Sequence, residues 1–197
     1  MEKSIIIFNF AKHLLGLGMN ETLRRYENQK VTEAILYVLN KTGVISYFML
    51  MKILFCADRA NLKRWGDPVT CLNYYARKHG PVPVSVYQAI KYPKPERVFD
   101  FAETIERVGE YDVKPLRQSD ENYLSQTDKD SLNYAISELQ GKDYKEIETY
   151  LHEQVYERLY ASKNKRYSHV DIASTEEVSE SVLAQIREND IIAKMLS

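Results

Sequence analysis

Phe48-Met-Leu-Met-Lys-Ile-Leu-Phe-Cys-Ala-Asp-Arg-Ala-Asn-Leu-Lys-Arg-Trp-Gly66 decides how this chain folds, together with Arg77-Lys-His-Gly-Pro-Val-Pro83 a short link further on. The first half of the longer stretch is almost uniformly apolar, and a helix that is apolar all round is a buried one. At Asp58 and Arg59 it turns polar, so its second half must leave the core while still anchored there. The Gly-Pro segment is stiff because proline fixes φ, and glycine allows a conformation other residues avoid. Together they describe a rigid platform presenting Arg59, Lys63, Arg64, Arg77, Lys78 and His79 outward.

Upstream, Val31, Ala34, Ile35, Val38 and Leu39 recur at three- and four-residue steps and share one helical face. Thr42-Gly43 supplies a stop. Ser46 can cap the central helix and Trp65-Gly66-Asp67-Pro68 can end it. Residues 69–78 are rich in β-branched and aromatic types and read as extended, 79–83 as a loop, and 84–92 as a short helix stopped by Pro93 and Pro95. Residues 99–108 and 111–116, divided at Gly109-Glu110, read as a β-hairpin. Ser125-Gln-Thr-Asp128 resembles a capping box and opens a helix burying Leu132, Ala135, Ile136 and Leu139. Asp143 with Glu146 opens another, carrying Tyr144, Ile147, Leu151 and Val155. After a polar break at 163–166, Ser174 with Glu177 caps a last amphipathic helix. The expected fold is α+β and mainly α, a compact helical domain with a small β-hairpin. Residues 1–28 form an amino-terminal extension, 29–161 the domain, and 162–197 a linker and amphipathic helix. Residues 1–18 are either loosely attached or lie ahead of a true start at Met19.

At 197 residues, 44% hydrophobic and 28% charged with 7 Gly and 6 Pro, the composition is that of a folded soluble domain with appendages. A net charge of -1 argues against strong non-specific nucleic-acid binding, though not against a local patch. Between residues 59 and 97 the bases Arg59, Lys63, Arg64, Arg77, Lys78, Lys91, Lys94 and Arg97 face only Asp67 and Glu96. The helices after Asp100 are acidic, and this polarity favours oriented docking of a charged partner. Cys56 reads as a buried free thiol, and neither it nor Cys71 has a neighbouring ligand. The scattered His13, His79, His152 and His169 have no metal-ligand spacing, so no metal and no cofactor is expected. Ile5-Ile-Ile-Phe8 is too short and too interrupted for a signal peptide or a membrane span, which makes the expected location cytoplasmic.

Asp58, Arg59 and His79 are the residues from which an active site would be built. Asp58 and His79 could act as an acid-base pair within about 3 Å of each other. No nucleophile elbow or phosphate-cradling glycine loop accompanies them, so hydrogen bonds tying the loop to the helix end outweigh catalysis. His152 reads as a satisfied, half-buried histidine, and Trp65 as a lid on the core. The 15 tyrosines are consistent with an interface, though Tyr37 and Tyr134 also fit periodic helices. The basic patch is a solvated helix end, a nucleic-acid surface short of stacking groups, or a docking face for an acidic protein; among functional readings the last is preferred.

The segment Met51-Lys-Ile-Leu-Phe-Cys-Ala-Asp-Arg-Ala-Asn-Leu62, then Trp65-Gly-Asp-Pro-Val-Thr70, Tyr75-Ala-Arg-Lys-His-Gly-Pro-Val-Pro83 and Tyr87, resembles the Panacea-domain family, which includes SocA-like antitoxins and GepA-type phage-associated proteins. Leu124-Ser125 with Asp128, and His152 with Tyr156, fit the later part of the pattern. Phe55, Cys71 and Tyr156 depart from its usual Tyr, small residue and Trp. The likeness covers about residues 30–160. It implies a non-enzymatic antitoxin of a toxin-antitoxin system, neutralising by direct binding a toxin protein encoded by an adjacent gene. A proteolytic adaptor that delivers the toxin to a protease, a DNA-binding regulator and an uncharacterised hydrolase are the alternatives. On this reading Arg59, Lys78, His79 and Tyr87 are the partner contacts. Asp58, Gly80, Pro81 and His152 hold them in place.

Overall fold

The computed structural model describes the backbone of residues 2–94, 98–99, 101–175 and 177–196, with side chains from Thr22 onward except those of Lys194 and Leu196. The fold is mainly α with two small antiparallel sheets, an α+β arrangement built around one helix. Helix α1 (Glu2–Thr42) ends where Gly43 takes φ 74°, and β1 (Ile45–Ser46) leads directly into α2 (Tyr47–Trp65). The Ser46 hydroxyl accepts from Met49 N at 3.1 Å, and Gly66, at φ 77°, closes the helix. Both ends lie where the sequence places them.

Helix α2 is the axle. All its residues from Leu50 to Arg59 are buried, and it packs against α1, β1 and most of the elements that follow it in the chain. An all-round apolar surface is what such a position requires. The antiparallel pair β2 (Tyr74–Arg77) and β3 (Gly80–Pro83) packs on its middle turns through Lys52, Phe55 and Asp58, with Tyr74 opposite Pro83 and Arg77 opposite Gly80. The segment expected as a loop at 79–83 is therefore mostly a strand. Proline is tolerated there because β3 is an edge with a single neighbour. Residues 165–167 run along the other edge of β2: Ala76 N donates to Lys165 O, and Tyr167 N to Tyr74 O.

After β3 come α3 (Val84–Lys91), β4 (Ile105–Val108) and β5 (Asp112–Pro115), and β5 pairs with β1 as well as β4. The hairpin expectation holds, with the added short strand β1. Its first strand begins only at Ile105 rather than at residue 99, and Asp100 lies outside the described residues, as do Pro95 of the expected helix stop and Glu96 and Arg97 of the charged stretch. A 3-10 turn (Glu121–Tyr123) precedes α4 (Gln126–Leu139), whose Ser125/Asp128 capping box is present. The helix expected from Tyr144 to Val155 is two, α5 (Tyr144–Leu151) and α6 (Gln154–Ala161), broken at His152 and Glu153. Helix α7 (His169–Ala173) opens with a Ser168/Asp171 capping box that pattern reading passed over. Ser174 ends α7 rather than opening α8 (Glu180–Leu196), where the Ser179 hydroxyl accepts from Val182 N. Tyr167, Ile172, Ala173, Leu183 and Ile186, all from the carboxyl-terminal segment, are buried in the same core as α2.

Candidate functional site

A groove of about 670 Å³ opens beside α2, between its amino-terminal turns, the β2–β3 turn, α3 and α5. Clefts of about 300–1,000 Å³ are the usual size for a bound ligand or an anchoring side-chain cluster. Its walls are aromatic. Phe48 stacks on Tyr144 with centroids 4.3 Å apart, and Tyr47 meets Tyr87 edge-on at 5.9 Å. His79 completes this cluster, edge-on to Tyr144 at 5.5 Å.

The floor is Lys52, which sits in the middle of the apolar helix and is wholly buried. Its Nζ donates to Pro81 O at 2.9 Å and lies 4.9 Å from the centre of the Phe48 ring. Burial lowers its pKa to about 7, while Cys56 and Glu148 pull the other way. An ammonium that loses its water is destabilised relative to the amine. Gly80 makes this possible: its φ of 93° is one other residues rarely adopt, and a Cβ there would stand 3.0 Å from Lys52 Nζ. The Gly-Pro segment thus caps a buried lysine with a carbonyl.

Three of the four expected partner contacts, Lys78, His79 and Tyr87, line this groove. Lys78 and His79 are exposed and Tyr87 is half-buried, its hydroxyl accepting from Lys91 Nζ at 2.9 Å. His79 Nδ1 is 2.8 Å from Glu148 Oε1. Arg59 does not join them. It is 4% exposed, its guanidinium lies 4.8 Å from the centre of the Tyr150 ring, and it donates to the Tyr150 hydroxyl. The outward platform therefore loses Arg59, because α2 is still enclosed by α5 at that turn. The reversal extends to Trp65, which is 53% exposed rather than a lid on the core.

Asp58 does not reach His79 as an acid-base partner. Its carboxylate accepts from Thr70 N at 2.7 Å, Thr70 Oγ1 at 2.5 Å and the Tyr74 hydroxyl at 2.7 Å. It ties α2 to β2 and to the residues before it. Burial raises its pKa to about 6 against the pull of these donors. His152 caps α5 and stacks on Tyr156 at 4.0 Å, and Tyr156 in turn donates to Arg77 O at 2.9 Å. The expectation of a satisfied histidine is corrected: Nε2 is buried without a hydrogen-bond partner, 4.0 Å from Glu148 Oε1. Its pKa is lowered by that burial.

Residues 50–157 match the model of the family described as Antitoxin SocA-like, Panacea domain. The chain belongs to this SocA-like Panacea family. No curated protein and no solved structure matches it. The matched Panacea segment supplies the floor, the β2–β3 turn and Tyr144 of the groove. Tyr47, Phe48, Tyr160 and Lys165 lie outside that segment and finish its walls. Sequence reasoning missed Lys52, although one lysine within ten otherwise apolar helix positions is the mark of a buried amine. Phe48, Tyr144, Tyr160 and Lys165 carry no such signal, since only the fold brings them together. Among the described residues no helix is long and apolar enough to cross a membrane, and no group of three or more His, Cys, Asp or Glu could hold a metal ion.

Proposed function

We propose that this SocA-like protein is a non-enzymatic cytoplasmic antitoxin that neutralises a toxin protein by direct binding, with the aromatic groove and its basic rim as the docking face. The observation that carries the reading is the coincidence of family and geometry. The Panacea segment supplies Lys78, His79, Tyr87 and Tyr144 of an open groove whose aromatic walls Tyr47, Phe48 and Tyr160 complete. Aromatic anchors within a charged rim are the usual make-up of a binding hot spot. The mechanism is occlusion: the toxin is held through this face and its own substrate is kept out.

Co-expression with the product of the neighbouring gene tests this. That product should arrest growth alone, the wild-type chain should rescue it, and Tyr87→Ala with Lys78→Glu should weaken capture of the toxin at least tenfold. The reading falls if the neighbouring product is harmless or is not rescued. Rescue should persist in a host lacking its ATP-dependent proteases; loss of rescue there would replace occlusion by delivery to a protease.

A further inference from the structure

Helix α6 carries an aromatic ladder from the core to the groove. His152, at the break before α6, stacks on Tyr156 at 4.0 Å, and Tyr156 stacks on Tyr160 at 5.5 Å. The next rung is a cation: Lys165 Nζ stands 4.2 Å from the centre of the Tyr160 ring. The Tyr156 hydroxyl donates to Arg77 O at 2.9 Å and lies 3.4 Å from Lys78 O, which ties the β2–β3 turn to the same ladder. Arg77, Lys78 and Lys165 are thereby mounted on one stack, and all three line the groove. Lys52, beneath Gly80 and Pro81, takes no part in this arrangement.

Lys165 is the most constrained of the three. Among the described residues it is the one non-glycine with a positive φ, 56°, a conformation that glycine adopts without strain and lysine does not. Its amide donates to Ser162 Oγ at 3.0 Å and its carbonyl accepts from Ala76 N at 2.7 Å, and these bonds fix the bend. Strained backbone held by its surroundings marks a position where the direction of the side chain matters. The three cations are also unmatched. No aspartate or glutamate lines the groove, and among the described residues none lies within ion-pair distance of Arg77, Lys78 or Lys165, whereas Lys30, Arg117 and Arg158 are paired with Asp128, Glu33 and Asp171. Arg77 and Lys78 are exposed and Lys165 is half-buried, so their charges are open to a partner.

We propose that residues 160–165, which lie outside the matched family segment, complete with Arg77 and Lys78 a notch for the carboxylates of a short acidic segment of the toxin, and that Lys165 selects for that segment. This rests on the antitoxin reading and names the chemistry the partner presents at one end of the docking face. The guanidinium of Arg77 can grip a carboxylate through two parallel bonds, and Lys78 and Lys165 add point charges beside it. The exposed rings of Tyr144 and Tyr160 take the residues flanking the acids. A nucleic acid fits less well. Glu148 and Glu157 stand close enough for their charges to act on Tyr156, and a continuous polyanion would run over them where a short segment ends.

Isothermal titration of the neighbouring-gene toxin into the full chain tests this. Lys165→Glu should weaken binding about tenfold or more, and Lys165→Arg should keep it within about twofold. These two variants share the same backbone strain, so their difference reads the charge. Lys165→Gly relaxes that strain, so its thermal midpoint should equal or exceed that of wild type while binding weakens about fivefold. Raising salt from about 50 to about 500 mM should weaken wild type more than Lys165→Gly. Toxin affinity for Lys165→Glu within about twofold of that for Lys165→Arg overturns the inference and leaves the antitoxin reading standing. Failure of the toxin to bind wild type removes the antitoxin reading. The notch is then judged by NMR titration of the wild-type chain with the blocked peptide acetyl-Tyr-Asp-Glu-Phe-amide and its Asn/Gln counterpart. Shifts at the amides of Ala76, Lys78 and Lys165 with the acidic peptide alone support the notch. Equal shifts with both peptides, none with either, or larger shifts with equimolar inorganic phosphate or a DNA duplex overturn it.

Discussion

Replacing Lys52 by methionine should stabilise the free protein, an unusual expectation for a wholly buried position in the central helix. Methionine keeps most of the volume and adapts to irregular packing. The lysine's pKa falls from 10.5 to about 7 on folding. A lysine whose folded pKa lies below its unfolded value penalises the fold fully at and below the folded value, and the penalty fades as pH rises toward the unfolded one. At about 1.4 kcal/mol per unit the penalty at pH 7 is roughly 4 kcal/mol. Against this, the Pro81 carbonyl loses its donor, which costs about 1–3 kcal/mol. The net gain is on the order of 2 kcal/mol at pH 7. Urea unfolding followed by circular dichroism from pH 6 to 9 checks it. Wild-type stability should contain a rise of about 2 kcal/mol between pH 7 and 9 that Lys52→Met lacks. A variant less stable than wild type at pH 7, with the same pH profile, would refute the picture of a desolvated amine held at the groove floor.

Two further expectations concern the supports. Asp58→Ala leaves the Thr70 amide and the Thr70 and Tyr74 hydroxyls without their buried acceptor and should cost roughly 3 kcal/mol or more in urea unfolding. A loss under 1 kcal/mol would mean that these donors find other partners. On α1 the buried Glu33 is gripped by Arg117 through two contacts, at 2.6 and 2.9 Å, and by Asp120 N at 2.7 Å. Burial alone would raise the Glu33 pKa, but these bonds, that from Gln29 and the Arg117 charge hold it below its ordinary 4.5. A lowered carboxyl pKa contributes stability above the unfolded value, and that contribution is lost as pH falls through 4.5 and below. Arg117→Ala should therefore cost about 2 kcal/mol at pH 7, less than a fully buried pair because Arg117 is 38% exposed, and the difference should shrink by pH 3.

Position along α2 explains what the sequence allowed to be read. The helix itself, its Ser46 and Gly66 ends, the 125–128 and 143–146 caps and the 105–115 hairpin rest on local rules of periodicity, capping and turn chemistry, which the chain writes in consecutive residues. Arg59 failed because its environment comes from Tyr150, ninety-one positions away, and no local rule distinguishes a cation leaving the core from one roofed by another helix. The polar half of α2 therefore remains enclosed for a further turn. The groove was half visible for the same reason. Lys78, His79 and Gly80 follow one another in a turn, whereas Phe48, Tyr144, Tyr160 and Lys165 meet only after α5, α6 and the 165–167 segment have packed around β2. Lys52 connects the two kinds of information. Its sequence signature is a single cation in an apolar run, and its meaning comes from Pro81 and Gly80, which the fold brings over it. A helix built only for stability would place an apolar side chain there, so the amine is kept at a cost that the single hydrogen bond to Pro81 O only partly offsets.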